Sequence, residues 1–153
     1  MVKDEIVKVL REYFEKDDKV IFAYLFGSYA RGNANKSSDI DIAVYIKKGK
    51  DVTENLLYQL DTKKNLEKIL GKEVDFVILN DADSLLKHEV FSDGILIIDK
   101  DHDLYVDVRV KNFYEYMDKK KYLEICALYQ REYFMDGKKR DCNSKGWKYK
   151  SKF

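Results

Sequence analysis

Apolar residues at helical steps open the chain. Val2, Ile6, Val9, Leu10 and Tyr13 predict a helix over 3–16. The continuous apolar run over 20–26 predicts a buried strand. A second strand over 39–46 alternates, with Ile40, Ile42, Val44 and Ile46 on one face and Asp39 and Asp41 on the other. Asp51 and Glu54 have the spacing of a helix-capping box. The helix they open carries Leu56, Leu60, Leu66 and Leu70, is interrupted on that face by Lys63, and stops at Gly71. Further strands are expected over 74–79 and 95–98, with a short helix over 82–91 between them. Beyond 104 the pattern is helical. Val106, Val110, Phe113 and Met117 recur in steps of four, three and four, although 104–110 also alternates as a strand would. Tyr122, Ile125, Cys126, Tyr129 and Tyr133 make a cleaner stripe, and Gly137 is a plausible stop. The sum is an α/β domain over 1–136, a small mixed sheet flanked by helices with helices at its C-terminal end.

Two details of this pattern carry chemistry. The first strand ends in Gly27 and Ser28. Glycine there can adopt a backbone closed to other residues. Ser28 can cap a short helix or turn over 29–32, whose first N–H groups suit phosphate. Arg31 offers a fork of donors to phosphate oxygens, while Lys36 reads as a solvated charge. A polar loop over 32–38 then returns the chain so that the second strand can lie beside the first. On that strand Asp39 and Asp41, two residues apart, are separated by about 6.5 Å on one face. Two such carboxylates are costly unless a cation neutralises them. Their spacing can straddle two ions about 3.5–4 Å apart, and an all-oxygen donor set favours Mg²⁺ or Mn²⁺ over Zn²⁺. A Gly-Ser turn or a strand Asp-x-Asp alone means little. Their combination on two strands joined by one turn-rich loop is a more specific signal.

Gly27-Ser28 followed by Asp39 and Asp41, in the wording Phe-Gly-Ser-Tyr-Ala-Arg-Gly and Ser-Asp-Ile-Asp-Ile-Ala-Val, resembles the signature of the DNA polymerase β-like nucleotidyltransferase superfamily. It is most similar to the minimal nucleotidyltransferases. The specific resemblance runs from about Val20 to Leu79, with a general match in length and helix pattern to about Phe134. It implies the minimal nucleotidyltransferase fold and a third carboxylate on a later strand, here Asp75. It also implies catalysis by Asp39, Asp41 and Asp75 as ligands of two Mg²⁺ ions, with ATP as substrate bound at Gly27, Ser28 and Arg31. The expected reaction is in-line attack of an acceptor hydroxyl on the α-phosphorus with loss of pyrophosphate. Asp75 ligates the ion at the acceptor and takes its proton.

The acceptor rests on the resemblance alone. Stand-alone chains of this kind are similar to antitoxins paired with HEPN-domain toxin RNases, which transfer AMP to a toxin tyrosine. That implies a HEPN partner docking on the helices over about 104–135. Two other readings stand beside it. One is a small-molecule nucleotidyltransferase acting on an aminoglycoside-like hydroxyl, which would need an acceptor pocket from a further domain or subunit. The other is a binding module that neutralises a toxin by occlusion.

Composition narrows the setting. At 45% apolar and 37% charged over 153 residues, the chain is expected to be one globular domain with a highly charged surface. No apolar run approaches 18 residues, so no membrane span is expected, and the amphipathic start does not read as a signal peptide. Cys126 is expected to be buried in its helix, Cys142 lies elsewhere, and neither has metal-ligand spacing, which suits free thiols in a cytoplasmic protein. His88 is expected on a helix surface and His102 in a turn, with no partner spaced for zinc or a catalytic triad. The net charge of +1 is uneven. Residues 137–153 hold seven Lys or Arg and one Asp, so +6, and 1 − 6 leaves −5 for the rest. With two glycines and Trp147, Tyr149 and Phe153 interleaved, this segment reads as a solvated, flexible basic tail. Contact with RNA or an acidic protein face is the rival reading.

Overall fold

The computed structural model describes residues 2–49 and 51–135. The expectations for Gly137, Cys142 and the basic tail over 137–153 lie outside the described residues. The elements follow in the order α1 (Lys3–Glu15), β1 (Val20–Phe26), α2 (Gly27–Arg31), β2 (Ile40–Ile46), α3 (Val52–Leu70), β3 (Val74–Ile78), a 3-10 turn (Leu79–Asp81), α4 (Ser84–Asp93), β4 (Ile95–Asp99) and α5 (His102–Met135). The chain divides after Tyr114 into two compact units. The first holds the sheet and the opening of α5, and the described part of the second is the continuation of α5 from Glu115 to Met135. No described helix is long and apolar enough to cross a membrane.

The four strands form one mixed sheet in the order β3-β2-β1-β4. β1 runs antiparallel to both β2 and β4, and β2 runs parallel to β3. Each face of the sheet is buried. Ile40, Ile42, Val44 and Ile46 pack with Ile6, Leu10 and Phe14 of α1 and Leu66 and Leu70 of α3. On the other face Phe22, Tyr24, Phe26 and Ala43 pack with Val90 of α4 and Tyr105 of α5. Both faces of β1 are covered, which is why it reads as an unbroken apolar run.

Asp51 caps α3 by accepting from the Glu54 N–H at 2.7 Å, and Gly71 ends that helix with φ +66°. The stripe itself differs from expectation. The row that meets the sheet is Tyr58, Thr62, Leu66 and Leu70, while Leu56 and Leu60 are exposed. The helix packs along steps of four, and Tyr58 is fixed by donating its hydroxyl to Asp17 at 2.6 Å. Burial and that bond raise the Tyr58 pKa well above its usual value. Leu66→Ala is therefore expected to cost about 2–5 kcal/mol and Leu56→Ala within about 0.5 kcal/mol, read by urea unfolding.

The ambiguous stretch over 104–110 is helical, within α5. Its anchor is Tyr105, whose hydroxyl meets that of Tyr24 and accepts from Arg109 Nη1 at 3.2 Å. Burial, followed by this pairing, raises the Tyr24 pKa. His102 is not in a turn but opens α5, with its Nδ1 2.7 Å from Asp99 Oδ2. His88 sits on α4 against Ser92, at 3.3 Å. Cys126 is half-buried rather than buried. The stripe it belongs to is largely exposed, with Tyr122 at 62% and Tyr129 at 61%.

Candidate active site

The site residues meet at one end of the sheet because of strand register. Phe26, the last residue of β1, pairs with Asp41, and Asp41 pairs across the parallel ladder with Asp75. The phosphate-type turn therefore begins beside one carboxylate, and the next strand sets a second carboxylate alongside it. Neighbouring strands lie about 4.8 Å apart, so Asp41 and Asp75 are immediate neighbours. Asp39 lies one residue before β2, outside the strand, and is exposed. The loop before it is ordered by Asn35, whose Oδ1 accepts from Ser37 N at 2.9 Å, Ser37 Oγ at 2.8 Å and Ser38 Oγ at 3.2 Å.

Gly27 has φ +72°, and a Cβ there would overlap the Asp41 carboxylate. Glycine is thus required twice, by the backbone and by the close approach of the acid. Ser28 does not cap the short helix. α2 begins at Gly27 with Phe26 in the capping position and no side-chain cap. Ser28 sits inside the first turn because the helix starts at Gly27, two residues earlier than expected. Its carbonyl accepts from Asn33 N at 3.1 Å, and its side chain is half-exposed.

The charges converge on Asp41. Its carboxyl pKa is raised from the usual 3.8, first by burial and then by the neighbouring Asp75 and Asp39 and by Glu89, with Arg31 opposing them. Glu89, on α4, joins the site although no sequence pattern marks it. Arg31 Nη1 lies 3.7 Å from Glu89 Oε1 with both side chains about half exposed, a pair of little energetic weight. Lys36 is exposed, as expected of a solvated charge.

Among the described residues no group of three or more His, Cys, Asp or Glu side chains is placed to hold a metal ion together. The donor set nonetheless suits a hard divalent cation. It consists of carboxylates only, two are register partners, and their mutual repulsion is what a cation relieves. Asp41's contribution is fully present below the usual 3.8 and is lost as pH rises through its higher folded value. Asp41→Asn is expected to melt above the wild type at pH 7 without metal. The gap should close as pH falls toward 4 or as Mg²⁺ is added, followed by thermal denaturation.

Residues 8–103 match the polymerase β nucleotidyltransferase family, and the chain belongs to that family. It is a nucleotidyltransferase with the minimal nucleotidyltransferase fold. It is 35% identical over 97 residues to a protein of Methanocaldococcus jannaschii that bears the name putative protein adenylyltransferase, covering 63% of this chain and 95% of that one. It is 34% identical over 92 residues to the protein adenylyltransferase MntA of Shewanella oneidensis, covering 60% of this chain and 61% of MntA. A chain from a crystallised toxin–antitoxin complex with AMP-PNP superposes with a TM-score of 0.61 at 26% identity, over 84% of this chain and 99% of the other.

Proposed function

We propose that this chain is a Mg²⁺-dependent protein adenylyltransferase that acts as an antitoxin, moving AMP from ATP to a tyrosine of a HEPN toxin RNase. The observation that carries the reading is the register that sets Gly27, Asp41 and Asp75 side by side at one sheet end. Similarity to relatives named as protein adenylyltransferases, and to a toxin–antitoxin chain crystallised with AMP-PNP, supports the protein acceptor and the nucleotide. The HEPN class and the tyrosine rest on the resemblance of the sequence motifs.

Gly27 and Ser28 receive the triphosphate, with their backbone N–H groups and the Ser28 hydroxyl as donors. Arg31 leaves its weak pairing with Glu89 for the phosphate oxygens. Asp39, Asp41 and Asp75 would hold the Mg²⁺ ions, which when bound offset phosphate charge and lower the pKa of the acceptor hydroxyl. The tyrosine oxygen forms a bond to the α-phosphorus as the bond from that phosphorus to the bridging oxygen breaks. The electron pair leaves with pyrophosphate, and the tyrosine proton passes to Asp75. A free tyrosine has a pKa of about 10, so the hydroxyl needs this help at neutral pH.

The partner docks on α5. Val106, Val110 and Phe113 are each about half exposed on its first part, and Tyr122, Leu128 and Tyr129 on its second. ATP dependence tests the reading. The partner RNase should be silenced by this chain with ATP and Mg²⁺ and remain active with EDTA or without nucleotide. Silencing that needs neither ATP nor metal would replace catalysis with occlusion.

A further inference from the structure

The short turn between α3 and β3 is bonded to α2 and to the start of β2. Gly71 ends α3 in the left-handed conformation. The next residue, Lys72, donates from Nζ to the Tyr29 hydroxyl at 2.6 Å, and the same ammonium lies 5.3 Å from the centre of the Tyr29 ring. Glu73 accepts from Ile40 N at 3.0 Å. Val74 N donates to Glu67 Oε1 at 3.2 Å, and Asp75 follows. Three consecutive residues are thus tied, in turn, to the helix carrying Ser28, to the residue between Asp39 and Asp41, and to α3, and the third acid follows directly.

The tie to α2 has the most to hold. α2 has five residues, too few to be stable alone, since helix nucleation is unfavourable until several turns form. It makes no side-chain cap. Tyr29 is its one large buried side chain, 6% exposed, with its ring in the cluster formed by α1, α3 and β2. A tyrosine buried to that degree needs a partner for its hydroxyl, and Lys72 supplies it from the next layer of the site. Lys72 is not among the groups that dominate the field at Asp41. Its effect is on geometry.

We propose that Lys72, acting through Tyr29, is a positioning residue for nucleotidyl transfer: it fixes the Gly27–Arg31 turn relative to Asp75 so that phosphate and acceptor groups are in register. The inference rests on the proposed reaction for its kinetic consequence but not for its structural one. Misplacing reacting groups by about 1 Å can cost on the order of 10²-fold, and a loosened turn samples such displacements.

Lys72→Met keeps the aliphatic stem and removes the donor. Tyr29→Phe keeps the ring and removes the acceptor. Tyr29→Phe, which leaves no buried hydroxyl unpaired, should melt within about 2 °C of wild type, and Lys72→Met, which strands that hydroxyl, about 2–8 °C lower. Both should lower kcat for AMP transfer about tenfold while the KM for ATP changes less than about threefold, and Lys72→Arg should recover most of the rate. Amide hydrogen exchange over 27–32 should quicken in both variants and return in Lys72→Arg. Unchanged exchange with wild-type kcat overturns the inference, as does a rate loss that only tracks a loss of Tm. If the wild type transfers no AMP, the proposed function fails on its own. The exchange rates over 27–32 then still decide whether Lys72 holds the turn.

Discussion

An Asp39→Ala, Asp41→Ala variant should lose AMP transfer by at least about 10³-fold and still bind its partner. Removing a single preorganised group that stabilises developing charge costs about 10²–10³-fold. Here two of the three acids go at once. The fold should survive, because Asp39 is exposed outside the strand and Asp41 is an electrostatic liability within it. The residues that build the sheet, Ile40, Ile42 and Val44, face the opposite side. Nothing in α5, the proposed docking helix, is changed, so the complex should still form. The measurement is paired: transfer rate by mass spectrometry and affinity by calorimetry. Loss of both would mean that the acids support the fold. Retention of toxin neutralisation would favour occlusion.

Gly27→Ala should inactivate the protein more than it destabilises it. The new Cβ meets the end of the Asp41 side chain rather than backbone. The cheapest relief is for the carboxylate to turn away, which leaves the sheet intact and moves the group proposed to hold the metal. A left-handed backbone under a non-glycine residue adds about 1–3 kcal/mol of strain, equivalent to a Tm lower by about 2–10 °C. Transfer should fall about 10²-fold, in line with a displacement near 1 Å. Gly32→Ala is the matched control. It has a similar φ of +77° but nothing within 4 Å of its added Cβ, so it should show the strain in Tm with little loss of rate. Equal rates for the two variants would remove the Gly27–Asp41 contact from the account.

Much of this site was legible in the chain because it is local. Gly27, Asp39 and Asp41 fall within fifteen residues, and alternation alone assigns Ile40, Ile42 and Val44 to the core. Asp75 needed the family resemblance, since parallel pairing of β2 with β3 leaves no trace in spacing. Glu89 and Lys72 were not visible at all. Each acts through a contact with α2 from a distant element, and a single charge on a short helix or turn has no signature. α3 shows a different limit. Leucines line two adjacent rows, and periodicity does not say which row meets the sheet. The Tyr58–Asp17 bond, across 41 residues, goes with the Thr62–Leu66–Leu70 row. The α5 stripes were correctly helical, but helical periodicity marks an apolar face without naming what covers it. In the described residues Tyr122 and Tyr129 remain exposed.

The most direct measurement is the intact mass of the protein encoded beside this chain, after incubation with this chain, ATP and Mg²⁺. The account predicts a gain of one or more AMP groups on that neighbour, mapping to tyrosine and absent with the Asp39→Ala, Asp41→Ala variant. No gain while a stable complex forms would contradict it, as would transfer only to small hydroxyl compounds in the absence of any protein partner.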